Sequence, residues 1–178
     1  SIYALTYRFL YGVTGMTTKA VHSQTTDNSA AVVGSRSLRV RRVITTRAGG
    51  FSTGRYHGLN LSLDVGDNPV TVAHNRERLA EKLHLPLERF VYMEQLQSPH
   101  VSVIEATADT RFTAPIPATD AVVTTAPELA LVVLTTDAVP VLLGDDEAGV
   151  IAALHGSPFG IRAGLIANTV DAMQQLDA

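Results

Sequence analysis

The segment LTTDAVPVLLGDDEAGVIAALHGSPFG, residues 134–160, holds the side chains best placed for chemistry. One carboxylate, Asp137, precedes an apolar run at 139–143. One imidazole, His155, follows a second apolar run at 150–154. The acidic turn Gly144-Asp145-Asp146-Glu147 joins the runs, so the segment reads as a hairpin presenting polar groups at its rim. Whether His155 belongs to a reactive site then depends on the partners the fold brings to it. A second candidate region is AGGFSTGRYHGLN, a glycine-rich loop. Its glycines permit positive φ and close backbone approach to a small ligand, or merely a long surface connection. The chain has no cysteine, which removes disulfides, thiolate zinc sites and a cysteine nucleophile together. A blue-copper centre, which wants one Cys thiolate and two His, is disfavoured for the same reason, and the six His are scattered.

The 178 residues, 46% of them hydrophobic, suffice for one domain with its own core. A net charge of -3 gives no nucleic-acid footprint, and the one basic cluster, Arg36, Arg39, Arg41 and Arg42, reads as a solvated flank. No apolar run approaches the ~20 residues of a membrane-spanning helix. The opening SIYALTYRFLYGVTG lacks a basic leader and a small-residue cleavage site, so the expectation is a cytoplasmic protein with no membrane partner. Residues 1–37, rich in Ser, Thr and Ala after Met16, are expected to be a flexible or non-native N-terminal segment.

Order is expected from about Leu38. LRVRRVITTR reads as a strand, and GDNPVTVAHNRERLAEKLHL as a helix capped by Asp67 or Asn68 with Pro69 in its first turn. RFVYMEQLQ, HVSVIEA, TDAVVTT and LALVVLTT read as strands. The runs at 129–135, 139–143 and 150–154 show no polar alternation, which predicts neighbouring buried strands. Ile161, Leu165, Val170, Met173 and Leu176 predict one helix over 160–176 packed on them. Successive strands with inserted helices favour an α+β fold with a mixed β-sheet core.

These motifs resemble a known family. TTRAGGFSTGRYHGLNLSLDVGDNPVTVAHNRERL looks like the opening signature of the YfiH family, also called polyphenol oxidoreductase or laccase-like, whose members are regarded as purine nucleoside phosphorylases. MEQLQSPHV, ATDAVVTTAPELALVVLTTDAVPVLL and AGVIAALHGSPFGIRAGLI follow in the family's order. The resemblance runs from about Val40 onward and implies a YfiH-like domain over 38–178, expected to lack the family's C-terminal part. It further implies one zinc held by His, Cys and His. The implied reactions are phosphorolysis of adenosine, inosine, guanosine and methylthioadenosine, and deamination of adenosine. Purine nucleosides and phosphate are the implied partners. Catalytic roles are implied for Asp137, His155 and Arg47, and substrate binding for Arg47, Gly49, Gly50 and Asn60.

The sequence departs from the family at the metal. The Gln-x-His ligand position is Gln97, and the Ala-Asp-Cys-x-Pro ligand position is Ala138. Only the third ligand position keeps its donor, as His155. Catalytic zinc is usually held by three protein ligands with one position open. One imidazole cannot meet that need. His100, three residues beyond Gln97, would face the other way along an extended segment, roughly 10 Å on, unless Ser98-Pro99 bulges. Arg47 and the loop from Gly49 to Gly54 offer a place for phosphate. The sequence therefore leaves three readings: a purine nucleoside phosphorylase with adenosine deaminase and methylthioadenosine phosphorylase activity, inactive if zinc is required; a non-catalytic remnant serving as a purine-binding or interaction module; or a fragment or miscopied sequence of an ordinary enzyme.

Overall fold

The computed structural model describes residues 2–10 and 38–178, with side chains from Val40 onward. Eight strands form two four-stranded sheets. The first runs β2-β1-β6-β3, from β1 (Ile2–Leu10), β2 (Leu38–Thr45), β3 (Phe90–Val91) and β6 (Ala130–Thr135). The second runs β4-β5-β8-β7, from β4 (Val101–Val103), β5 (Ala121–Thr124), β7 (Val139–Asp145) and β8 (Val150–Gly156). Each sheet has one parallel pair, β3 with β6 and β4 with β5, and is otherwise antiparallel. Helices α1 (Pro69–Leu83), α2 (Pro158–Arg162) and α3 (Leu165–Gln174) complete an α+β fold.

Strand alternation explains the layers. Ala130 and Val132 share a core with Leu79, Ala80 and Phe90, against α1. Leu131 and Val133 instead meet Val122, Ile151 and Ala153 between the two sheets. On the second sheet's far face, Ala121, Val123, Val150, Ala152 and Leu154 pack with Leu165 and Met173 of α3. The order is helix, sheet, sheet, helix. The central strands β5 and β8 are buried on both faces, which is why their sequences carry no polar alternation.

Several expectations change. β6 does not pair with β7 and β8; it faces β8 across the core from the other sheet. Of the hairpin's two strands β8 is central and fully buried, whereas β7 is a half-buried edge with Val139 exposed. The expected helix over 160–176 is broken at Ala163 and Gly164, where Gly164 takes φ +99° and starts α3. Of RFVYMEQLQ and HVSVIEA only 90–91 and 101–103 are strand. Residues 2–10, expected within a flexible or non-native arm, form β1 between β2 and β6; 11–37 lie outside the described residues. Arg41 and Arg42 are exposed, and the side chains of Arg36 and Arg39 lie outside the described residues. Asn68 is the cap of α1, its Oδ1 accepting from the amides of Val70 and Thr71. Among the described residues no helix is long and apolar enough to cross a membrane.

Candidate functional site

Period-two alternation places Asp120 and His155 at the same end of the sandwich. Asp120 stands two residues before Val122, and His155 two after Ala153; both reference residues face the inter-sheet core. The strands are neighbours in register, and the His155 amide donates to the Asp120 carbonyl at 2.7 Å. Their side chains meet as well, with His155 Nδ1 3.0 Å from Asp120 Oδ1.

Asp120 has no solvent exposure. A buried carboxylate must be saturated with donors. The amides of Leu96, Gln97 and Ser98 donate to it at 3.2, 3.0 and 2.8 Å, and the Ser98 hydroxyl at 2.7 Å. Burial alone would raise its pKa. The Ser98 amide and hydroxyl, the His155 ring and the Gln97 amide outweigh that and hold it below the ordinary aspartate value. An ionised carboxylate only accepts, so the imidazole proton sits on Nδ1. That leaves Nε2, which has no hydrogen-bond partner among the described residues, as the working atom of a 9%-exposed histidine.

The same carboxylate oxygen carries both the His155 ring and the Gln97 amide, so the first and third ligand positions implied by the family stand side by side. The second follows through β7: Pro140 pairs with His155 and Val139 with Gly156, so Ala138 lies at the strand's beginning beside them. Thr135 Oγ1 donates to the Ala138 carbonyl and shapes this turn. Gln95 clasps the backbone of Leu134 from the other side, accepting from its amide at 2.9 Å and donating to its carbonyl. Gln97 itself is exposed and held at φ +60°, a conformation side chains rarely take.

These positions converge, but their donors do not fit zinc. Among the three is one imidazole, one exposed carboxamide and one methyl group. No group of three His, Cys, Asp or Glu that could hold a metal occurs among the described residues. His100, whose Nδ1 lies 3.3 Å from the Ala118 carbonyl, completes no such group among the described residues. Asp137 is exposed in the turn between β6 and β7, without a hydrogen bond among the described residues. The carboxylate that orients the imidazole is Asp120. Its sequence signal was a charge directly before the apolar run Ala121-Val122-Val123, since a charge entering a core must be paired.

Arg47 lies elsewhere. It lines a cavity of about 230 Å³ with Arg55, Tyr56, His57, Leu59, Asn60 and Val65, and His155 is not among the lining residues. The two regions share one edge of the molecule, however. β2 and β6 run parallel on either side of β1, with Thr45 and Leu134 both opposite Tyr3. Two strand spacings, roughly 10 Å, separate the backbones from which the Arg47 loop and the Ala138 turn depart. Asn60 is committed to the loop: its Nδ2 donates to Asp67 and Ser62, and its Oδ1 accepts from the Ser62 amide. Gly50 sits where a Cβ would meet the Gly58 backbone at 2.1 Å, and Gly49 sits against Arg78 and Lys82.

The sequence pattern described as multi-copper polyphenol oxidoreductase laccase matches residues 41–178. A purine nucleoside phosphorylase of Corynebacterium glutamicum is 51% identical over 144 residues, 80% of this chain and 57% of that protein. One of Mycobacterium bovis is 41% identical over 145 residues, 82% of this chain and 56% of its own. Among solved structures, YlmD from Geobacillus stearothermophilus superposes with a TM-score of 0.68 at 32% identity, covering 73% of this chain and 50% of that one. Neisseria meningitidis protein NMB0706 gives 0.62 at 38% identity, covering 74% and 52%. The chain thus spans a little over half the length of the curated relatives it matches. The Asp120–His155 pair is set in a scaffold shared with both solved structures, and the chain belongs to the polyphenol oxidoreductase or laccase-like family, the YfiH family.

Proposed function

We propose that the protein acts on purine nucleosides and phosphate as a purine nucleoside phosphorylase, without metal-dependent deamination of adenosine. The observation that carries this reading is the buried Asp120 carboxylate, which fixes the tautomer of His155 and leaves Nε2 at the end of the sandwich. The relatives named purine nucleoside phosphorylase, at up to 51% identity, supply the substrate class. In phosphorolysis a phosphate oxygen bonds to C1′ of the ribose as the C1′–N9 bond breaks, and the purine leaves with the electron pair and takes up a proton. His155 Nε2, bare in this tautomer, takes a proton from dihydrogen phosphate and passes it to the departing purine, and ionised Asp120 stabilises the imidazolium formed in between. Arg47 meets the phosphate. Inosine, guanosine, adenosine and methylthioadenosine share the ribosyl–purine bond this chemistry needs.

A second reading, purine binding without turnover, is favoured by one specific feature, the lost donors at Gln97 and Ala138. Base release from each nucleoside, followed by chromatography with and without phosphate, separates the two. The expected result is phosphate-dependent release that falls about 100-fold in His155→Ala, with no inosine formed from adenosine. Saturable nucleoside binding with no release would establish the second reading. Neither binding nor release would end both.

A further inference from the structure

We infer that the Arg47 cavity is a preformed oxyanion site in which Arg55 and His57 join Arg47 in binding a phosphate group. The inference rests on the phosphorylase reading only for the identity of the anion; the site is argued from its own geometry. Arg47, Arg55 and His57 line one cavity, and no carboxylate lines it. All three residues are exposed at the cavity's mouth, and none of their side chains has a hydrogen bond or ion pair among the described residues. Arg76, Arg89 and Arg111 are committed, to the Leu61 carbonyl, to four carbonyls and to two; Arg41, Arg42, Arg78 and Arg162 share the uncommitted state but do not line this cavity. Two guanidinium groups sharing a concavity without a counter-ion repel each other, and a bound oxyanion relieves that repulsion while accepting bidentate hydrogen bonds.

The cavity is held rigid by groups that are not charged toward it. Asn75 is fully buried beneath the loop. Its Oδ1 accepts from the Phe51 amide at 2.7 Å, and its Nδ2 donates to Ser52 Oγ and the Asn60 carbonyl at 2.9 and 2.8 Å. Asp67 accepts from Ser52 Oγ at 2.6 Å and Asn60 Nδ2 at 2.9 Å. The Arg47 carbonyl accepts from the Leu59 amide at 2.9 Å, closing the loop on itself. Tyr56 donates its hydroxyl to the Val65 carbonyl, and the Arg55 guanidinium lies 4.9 Å from the centre of its ring. The backbone is therefore ordered before any ligand arrives, which lowers the entropic cost of binding. Size selects the ligand: about 230 Å³ falls below the roughly 300 Å³ at which pockets begin to enclose drug-sized molecules, so it suits a phosphate rather than a whole nucleoside. Free phosphate and the phosphate of a ribose phosphate share this chemistry.

The test is a titration of the isotope-labelled chain with inorganic phosphate, and separately with ribose 1-phosphate, followed by amide NMR at constant ionic strength against chloride. Saturable shifts centred on residues 54–59 are expected. Arg55→Gln should weaken binding about tenfold and His57→Gln by less, while Arg111→Gln, outside the cavity lining, leaves it unchanged. The tighter of the two ligands identifies the source of the phosphate. Absence of saturation, shifts that chloride reproduces, or unchanged affinity in both Arg55→Gln and Arg47→Gln would overturn the assignment. Mapping on the unmodified chain keeps the test independent of any variant's folding. Phosphate bound here with no base release from inosine would sink the phosphorylase reading and leave this site standing. Turnover whose KM for phosphate ignores Arg55→Gln would do the reverse.

Discussion

The His155 end of the sandwich and the Arg47 loop use charge in opposite ways. At His155 the charge is internal: Asp120 is wholly buried and spends its lone pairs on three amides, a hydroxyl and a ring. Geometry is fixed there, but beyond one imidazole nothing remains to offer a ligand. At Arg47 the geometry is fixed by buried Asn75 and by Asp67, and the cationic side chains stay uncommitted. One region is an intact scaffold with missing donors, the other a scaffold with donors in waiting. Experiments can break this contrast by giving the first region its donors or by removing either scaffold.

The largest effect should come from restoring donors. The unmodified chain should retain no more than traces of zinc after dialysis, and Gln97→His alone should change little. Gln97→His with Ala138→Cys should hold roughly one equivalent, because two imidazoles and a thiolate make a three-ligand set with an open position. Metal analysis of the dialysed proteins decides it. A folded double variant without zinc would mean that the convergence of the three backbones beside His155 is not a metal-site geometry.

Removing the scaffolds ranks the two regions. Asp120→Asn leaves buried amides facing an NH₂ group and should cost about 3 kcal/mol in urea unfolding. Asp67→Asn, in the more exposed loop, should cost about 1 kcal/mol. Acid should act on the same two groups. The Asn60 and Ser52 hydrogen bonds, with help from the Asn68 amide, hold Asp67 below its usual value, and Asp120 is depressed as well. The stability each adds is complete above the unfolded aspartate pKa of about 3.9 and is lost as pH falls through the depressed native value. Thermal melts of the unmodified chain should therefore drop steeply below about pH 4, and those of Asp120→Asn more gently. Equal slopes would place the acid sensitivity elsewhere.

Much of this architecture was legible and some was not, for physical reasons. The run at 150–154 announced burial on both faces, and β8 is central. The equally apolar run at 139–143 announced the same and is an edge strand, because hydrophobicity reports burial but not the number of pairing partners. For the same reason 129–135 was grouped with the wrong sheet: an apolar strand facing β8 across the core and one bonded beside it read alike. The helix break at Gly164 was legible as a glycine but was overridden by the helical spacing on either side of it. At the site, the family resemblance pointed to Gln97, Ala138 and His155, and their backbones converge. It gave no hint of Asp120, whose role depends on donors from residues 96–98 and 155 that only folding brings together.

Gly50 tests the loop's scaffold at a single atom. A Cβ there would lie 2.1 Å from the Gly58 carbonyl carbon, its oxygen and the Leu59 nitrogen, all backbone. Gly50→Ala must therefore push the two limbs of the loop apart, at about 2 kcal/mol. The cavity should open with it, and phosphate-induced amide shifts at 54–59 should weaken in the same variant. Stability and phosphate response both unchanged would mean that the close approach of Gly50 to Gly58 does not hold the cavity.

The smallest effect concerns the strain at Gln97. Its φ of +60° is sustained by its neighbours' amides as well as its own, since Leu96, Gln97 and Ser98 all donate to Asp120. The side chain is exposed and makes no hydrogen bond among the described residues, so nothing local offsets the steric cost of the left-handed region, about 1–2 kcal/mol for an L residue. Gln97→Gly relieves that cost but gives the unfolded chain more freedom, worth about 0.5–1 kcal/mol the other way. The net should be a stabilisation of about 0.5 kcal/mol, read as a higher urea midpoint with an unchanged slope. In the Asp120→Asn background the gain should grow or vanish rather than add, because the strained turn and the carboxylate are one unit. A clear destabilisation by Gln97→Gly would show that the glutamine side chain holds the turn itself. The His155 end would then hold a committed carboxamide at the family's first ligand position.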